Sequence, residues 1–214
     1  MQEGLIFREK HTLELLISFL HPEDIVYDIG AQVGLYTVLL AKAVGEKGRV
    51  IAFEPESQSF QCLQENIKLN KLNNVRFFQK ALGEHSQKLE LYAGKNGKWC
   101  SLMKPPVDRE DISPQIVQVL RGDDLRKDED LPIPQLIKID VEGWEYSVLK
   151  GLSKTISYPE CKLILVEVHP TMLPAGIRID SVKELLKEAG FISFEIFVRG
   201  SEYHLFASRS KINS

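Results

Sequence analysis

Short apolar runs closed by a glycine, a proline or an acidic residue alternate along this chain with stretches whose apolar residues fall three or four apart. The first such stretch, HTLELLISFL at 11–20, spaces Leu13, Leu16, Ile17 and Leu20 for one helical face and is broken by HPED. IVYDIG (25–30) predicts a buried strand, GLYTVLLAKAVG (34–45) a helix stopped by Gly45, and RVIAFEP (49–55) a second strand ended by proline. A polar-faced helix over 56–70 and a third strand over 74–83 follow. From 84 to 134 the pattern loosens: LELYAG and QIVQVL are strand candidates, whereas KNGKWCSLMKPPVDREDISPQ, with three prolines, reads as loop. Then LIKID predicts a strand, WEYSVLKGLSKTI a helix, CKLILVEVH a strand and DSVKELLKEAG a helix, with FISFEIFV and YHLFASR as closing strands.

This alternation specifies an α/β fold, a doubly wound and mostly parallel sheet with helices on both faces. Its strands are continuous apolar runs because neither face meets water. Residues 1–24 read as an N-terminal helical segment ahead of one domain over 25–214, with 84–134 as a loose insertion. Ligands of such sheets bind at the carboxyl ends of the strands, where strand order reverses. Those ends carry Asp28 with Gly30, Glu54, Ala81, Asp140 with Glu142, and Glu167 with His169. Charge gathered at strand ends is expensive to bury unpaired, so its presence calls for a chemical reason.

Composition narrows the setting. The 214 residues suit a single domain with its own core, and 43 % hydrophobic against 27 % charged is ordinary for a water-facing globule. A net charge of −3 and a pI near 6.0 offer no basic field, which argues against a nucleic-acid partner. Cys62, Cys100 and Cys161 form no CxxC pair and fit a reducing, cytoplasmic compartment. No apolar run approaches the ~18 residues of a membrane span, and MQEGLIFREKH is too polar for a signal peptide.

The turn DIGAQVG has the spacing D-x-G-x-x-x-G, without the middle glycine of the dinucleotide fingerprint G-x-G-x-x-G. A carboxylate ahead of the turn suits a ligand with a cationic amino group better than a diphosphate. Glu54 is placed to accept from the two hydroxyls of a ribose. Dinucleotides and S-adenosylmethionine (SAM) both carry one; turn and carboxylate together favour SAM.

VYDIGAQVGLYT, VIAFEPESQSFQCLQENIKLN, KALGE, LIKIDVEGWEYSVLKG and LILVEVHP resemble, in order, the successive blocks of the FkbM-type SAM-dependent methyltransferases, over roughly residues 25 to 207. The resemblance implies the Rossmann-like class I methyltransferase fold, a seven-stranded sheet with its last strand antiparallel, and mainly O-methylation. It implies that Asp28, Gly30, Gln32 and Gly34 line the methionine end of SAM, Glu54 the ribose and Ala81 the adenine. Two departures stand out: Gln32 replaces the usual asparagine, and Gly122 in RGDDL replaces a leucine, which puts the packing of that strand in doubt.

Lys138, Asp140 and Glu142 then share one side of the fourth strand's end, beside Glu167 and His169 on the fifth. Lys138 is expected to pair with the carboxylates. Methyl transfer needs an aligned nucleophile and exclusion of water, and a hydroxyl nucleophile needs a base. His169 suits that role; Asp140 is the alternative base or the partner of the methionine amino group, and Glu142 or Glu167 would orient the imidazole. Asp140, Glu142 and His169 also offer ligands for magnesium or manganese, but metal-free transfer is the reading adopted. D-V-E-G stands where an N-methyltransferase of nucleobases has D/N-P-P-Y/F. A different N- or macromolecular acceptor, or a SAM-binding module without turnover, are the competing functions. The acceptor is expected to be a small hydroxylated molecule, and the product S-adenosylhomocysteine (SAH). Phe7, Arg8, His11, Trp99 and Met103 are candidates to flank a cleft that is open or completed by a second subunit, as in a homodimer.

Overall fold

The computed structural model describes residues 2–94, 100–104 and 112–211, with side chains from Lys10 onward except that of Ser113. It opens with α1 (Gln2–Phe19), β1 (Ile25–Ile29), α2 (Leu35–Val44), β2 (Arg49–Phe53), α3 (Ser57–Leu69) and β3 (Val75–Phe78). Next come β4 (Ala81–Gly83), β5 (Gln87–Gly94), β6 (Cys100–Ser101), β7 (Ile112–Arg121) and α4 (Gly122–Asp128). β8 (Leu136–Ile139), α5 (Glu145–Gly151), β9 (Leu163–Val168), α6 (Ile179–Glu188), β10 (Ser193–Arg199) and β11 (Glu202–Ser208) complete the chain.

Seven strands form the main sheet in the order β10-β11-β9-β8-β1-β2-β3, and only β11 runs against the rest. Every residue of β8 and β9 is buried, as their unbroken apolar runs require. Strand order reverses between β1 and β8, which pair in parallel with Asp28 beside Lys138 and Ile29 beside Ile139. That places the polar ends of β1 and β8 at the crevice where such sheets bind ligands. Among the described residues no helix is long and apolar enough to cross a membrane.

Four features depart from the sequence reading. The third strand is two: β3 ends at Phe78, and β4 pairs with β7 in a separate sheet of order β4-β7-β5-β6. The insertion over 84–134 is therefore not loose at its core; β5 and β7 pair from Gln87–Val119 to Gly94–Ile112. One face of this small sheet is covered, burying Leu91, Val117 and Val119, and the other leaves Ile116 exposed. Apolar alternation of that kind marks a half-buried antiparallel sheet. Gly122 does not weaken a strand but begins α4, where an added Cβ would stand 2.5 Å from Leu152 Cδ2. Glycine there permits α4 to pack against the end of α5, and Asp123 ties the joint by accepting from Lys154 N, Thr155 N and Thr155 Oγ1. Finally, α1 begins at Gln2 rather than near residue 11. Its Leu13 and Leu16 join the cluster of Tyr36, Leu40 and Phe206, and Thr12 Oγ1 lies 2.8 Å from His204 Nδ1.

Candidate active site

Two clefts meet at the carboxyl ends of β1 and β8. The first holds about 470 Å³ of space, with Phe53, Leu82, Leu91 and Trp144 among its apolar walls and Glu54 and Ala81 beside them. The second holds about 770 Å³ and is largely charged. Gly30, Gln32, Asp140 and Glu142 border both.

The turn after β1 is shaped for this junction. Gly30 has φ +79°, and a Cβ there would lie 1.7 Å from the backbone oxygen of Asp140. Only glycine lets the ends of β1 and β8 approach so closely. Gln32, with φ +47°, holds a left-handed backbone that costs a non-glycine residue about 1 kcal/mol or more. Its N–H donates to Glu54 Oε2 at 2.8 Å, and Glu56 N donates to Oε1 at 2.8 Å. Burial pushes the Glu54 carboxyl up to about 7, against the lowering effect of these two N–H donors.

Lys138 answers for the charge on β8. Its Nζ donates to the Gly30 carbonyl at 3.0 Å and lies 3.4 Å from Asp28 and 3.5 Å from Asp140. Burial works against the ammonium, but Asp28 and Asp140 outweigh it and hold its pKa above the usual lysine value. Asp28 itself has no exposed surface; Thr37 Oγ1 donates to it at 2.5 Å. Asp28 lines neither cleft and anchors Lys138 from behind. Gly34 also stands outside both clefts, because its missing Cβ gives room to Leu63 of α3. Gly30, Gln32, Glu54, Ala81, Asp140 and Glu142 do line the clefts.

His169 follows β9 and is 5 % exposed. Its Nδ1 lies 2.8 Å from Glu145 Oε1, while Nε2 lies 3.3 Å from Glu142 Oε2 and 4.0 Å from Asp140 Oδ1. Glu142 and Glu167 stand on the Nε2 side of the ring, while the short contact at Nδ1 comes from Glu145, on the first turn of α5, which the strand pattern did not indicate. A carboxylate at Nδ1 leaves Nε2 as the proton-accepting atom. Gly143, at φ +98°, turns the chain into that helix, and its N–H donates to the same Glu145 oxygen. The second glutamate of the E-G-W-E stretch was the only sequence signal for this partner. Burial lowers the imidazole pKa, but Glu145, Glu142 and Asp140 overcome it and raise it to about 9. Burial raises Glu142 to about 7 although His169 pulls it down.

A second tier lies behind. Glu167 meets Arg199 at 2.9 Å and His204 at 3.2 Å, and Arg199 also meets Glu202 at 3.1 Å. His204 sits in the apolar YHLFAS strand, where no motif announces it. Ser101 Oγ donates to the Glu142 carbonyl at 2.5 Å, so the small sheet closes the first cleft. His11 packs instead on Phe197, at 5.2 Å between rings; Met103 lies next to that wall, while Trp99 and the side chains of Phe7 and Arg8 fall outside the described residues. Ligand-capable atoms of Asp140, Glu142 and His169 lie within 4.8 Å of one another, as do those of Glu167, His169 and Glu202.

These pKa shifts set a pH dependence. Glu54 and Glu142 bind protons more tightly folded than unfolded between about pH 4.5 and 7, and His169 does so between about 6.5 and 9. Where the folded state holds more protons, stability falls as pH rises. Shifts of this size correspond to about 3 kcal/mol per group at most. Thermal unfolding of the ligand-free protein is expected to show a Tm that declines from pH 5 to 9; a flat or rising curve would contradict the burial of these carboxyls.

The profile of the methyltransferase FkbM domain matches residues 28–193. The chain is 27 % identical over 184 residues to the hexuronic acid methyltransferase AglP of Haloferax volcanii, covering 85 % of this chain and 69 % of that protein. It is 27 % identical over 207 residues to methyltransferase sdnD of Sordaria araneosa, covering 82 % and 76 %. A putative methyltransferase from Streptococcus mutans, solved with SAH, superposes with a TM-score of 0.58 at 11 % identity, over 93 % of this chain and 96 % of that one. That likeness is one of fold: the class I methyltransferase sheet.

Proposed function

Because this chain belongs to the FkbM methyltransferase family and is a methyltransferase, we propose that it transfers the methyl group of SAM to a hydroxyl of a small molecule, a sugar or sugar-like metabolite. The observation that carries this reading is the joining of an apolar cleft holding Glu54 to a carboxylate-rich one at the β1/β8 crevice. The donor sets fit SAM. Each Glu54 oxygen accepts one N–H and retains lone-pair capacity for a ribose hydroxyl. Ala81 and Leu82 offer an apolar wall for adenine, and Gly30, Gln32 and Asp140 stand where the two clefts join, suited to the methionine end. When bound, SAM supplies an already activated methyl group on its sulfonium. The name of AglP as a hexuronic acid methyltransferase supports a sugar oxygen as acceptor.

This chain's residues then have separate tasks. Glu142 faces the cleft and takes the hydroxyl proton as the new O–CH₃ bond forms and the S–CH₃ bond breaks, with SAH as the other product. His169 stands behind Glu142 and receives or shares that proton through Nε2, held by Glu145. Asp140 and Lys138 compensate one another beside the reacting atoms. Transfer needs no metal in this reading.

Calorimetric titration with SAM, with NAD⁺ as control and repeated in EDTA, tests it. SAM is expected to bind and NAD⁺ not to, with no effect of EDTA. Glu54→Ala is expected to weaken SAM by about tenfold to a hundredfold, the range for losing hydrogen bonds to a charged group. Binding of NAD⁺ alone would overturn the cofactor assignment. Loss of binding in EDTA would turn the reaction into a metal-assisted one with Asp140, Glu142 and His169 as ligands.

A further inference from the structure

Most of the described strand edges are short or guarded. β4 and β6 present three and two residues. β3, at one end of the main sheet, has four, and its Arg76 is paired with Glu129. The opposite end of that sheet differs. β10 runs for seven residues, pairs with β11 on one side and meets no described strand on the other. From Ile192 to Val198 the chain holds no lysine or proline, the residues that commonly keep an edge from pairing. Ile196 is 38 % exposed and Val198 70 %, two positions apart on one face of the strand. Phe194 of the same row is partly buried, with Lys187 of α6 over its ring at 6.0 Å. Alternate residues of an edge strand turn their N–H and C=O groups outward, so this edge offers hydrogen bonds together with an apolar row.

We propose that β10 pairs antiparallel with β10 of a second copy of this chain, about a two-fold axis at Ile196, so that one continuous sheet runs through a homodimer. The strand's own residues single out this occupant. That register sets Ile196 opposite its own copy and Phe194 opposite Val198 of the other, so each member of the apolar row meets an apolar side chain. On the other face, Glu195 comes opposite Phe197 of the second copy. Phe197 carries the exposed His11 on its ring, at 5.2 Å between centroids. Glu195 makes no ion pair with another described residue of its own chain. Its carboxylate oxygens therefore meet an imidazole N–H donor of the second copy, and the two-fold axis repeats that contact. Such an interface is the same patch on both partners, so it closes as a pair instead of growing into a filament. It also braces the hairpin whose Arg199 and Glu202 border the second cleft, and it stands independently of the methyl-transfer reading.

Sedimentation equilibrium of the full chain tests the proposal. At micromolar concentration the mass is expected to be twice the 24.3 kDa of one chain. Ile196→Lys puts two ammonium groups across the axis and is expected to weaken the dimer at least about a hundredfold. The position is exposed, so the variant folds, and circular dichroism checks that it has. His11→Ala is expected to weaken the dimer by about threefold, as for one exposed polar contact in each half. Ile116→Lys, at an apolar position of the small sheet that is 66 % exposed, is the control and is expected to leave the dimer intact. A monomeric parent chain overturns the proposal and leaves the edge to an extended segment of another protein. A dimer that survives Ile196→Lys, or one that Ile116→Lys dissolves equally, overturns it by placing the seam elsewhere.

Discussion

Replacing His169 by alanine is expected to leave SAM affinity within about twofold and to lower kcat by roughly 10²–10³-fold, the range for removing a positioned proton acceptor. The side chain is buried behind Glu142 and Asp140 rather than at the cleft wall, so its loss removes the proton's destination while sparing the surfaces that would hold the cofactor. Glu142→Gln keeps shape and is expected to lose a comparable factor if the proton passes through it. Unchanged turnover in Glu142→Gln with collapse in His169→Ala would make the imidazole the direct base. Glu145→Gln should cost about tenfold, because the ring keeps a neighbour at Nδ1 but loses its charge. The pH profile separates a proton acceptor from a packing residue. An imidazole held at about 9 is protonated at neutral pH, so the rate should climb toward alkaline pH. A bound sulfonium disfavours the imidazolium, and the inflection in kcat should therefore lie below that in kcat/KM for SAM. Full activity in His169→Ala would refute the role, and a complete absence of turnover in every variant and the parent would favour a SAM-binding module.

Gly30→Ala is the change with the largest expected effect on the molecule itself. A methyl group at that position meets the Asp140 carbonyl oxygen at 1.7 Å and its carbon at 2.8 Å, both backbone atoms of the neighbouring strand end. Either β1 and β8 part at the crevice or the turn abandons φ +79°. The first exposes the Lys138 network; the second withdraws the Gln32 N–H from Glu54. Destabilisation of about 3–5 kcal/mol is expected, comparable to breaking a buried ion pair, together with loss of SAM binding. Gly176→Ala is the control: its φ is +84° but nothing lies within 4 Å of the added carbon, so the cost should be only the backbone strain of about 1–2 kcal/mol. Chemical denaturation of the two variants decides it. Equal, small losses in both would mean that the crevice tolerates separation and that close strand approach is not what Gly30 provides.

Much of this was legible in the chain. The parallel sheet follows from apolar runs such as LILVEV and LIKI, whose residues need no knowledge of neighbours to be read as doubly covered strands. Glu54, Asp140 and His169 were visible because polar residues closing such strands have only the crevice to face. The small sheet was harder, since β5 and β7 are half-exposed and pair across a long intervening stretch. The third strand divides between two sheets at Gln79–Lys80, a break that pairing partners decide and local pattern does not.

The order of apolar and polar residues determined by itself which segments would be strands and helices, and that carboxylates and a histidine would gather at one edge of the sheet. Which of those groups meet was decided only by tertiary structure. Asp28 looks like a ligand residue in sequence and is sealed behind Thr37 and Lys138 in space. Glu145 looks like a helix residue and becomes the partner of His169. Arg199, Glu202 and His204 arrive from a hairpin some thirty residues beyond β9, because β11 inserts antiparallel beside that strand. The physical reason is that backbone periodicity is a local property, whereas the pairing of buried charges is settled by distances across strands, which the chain's order does not encode directly.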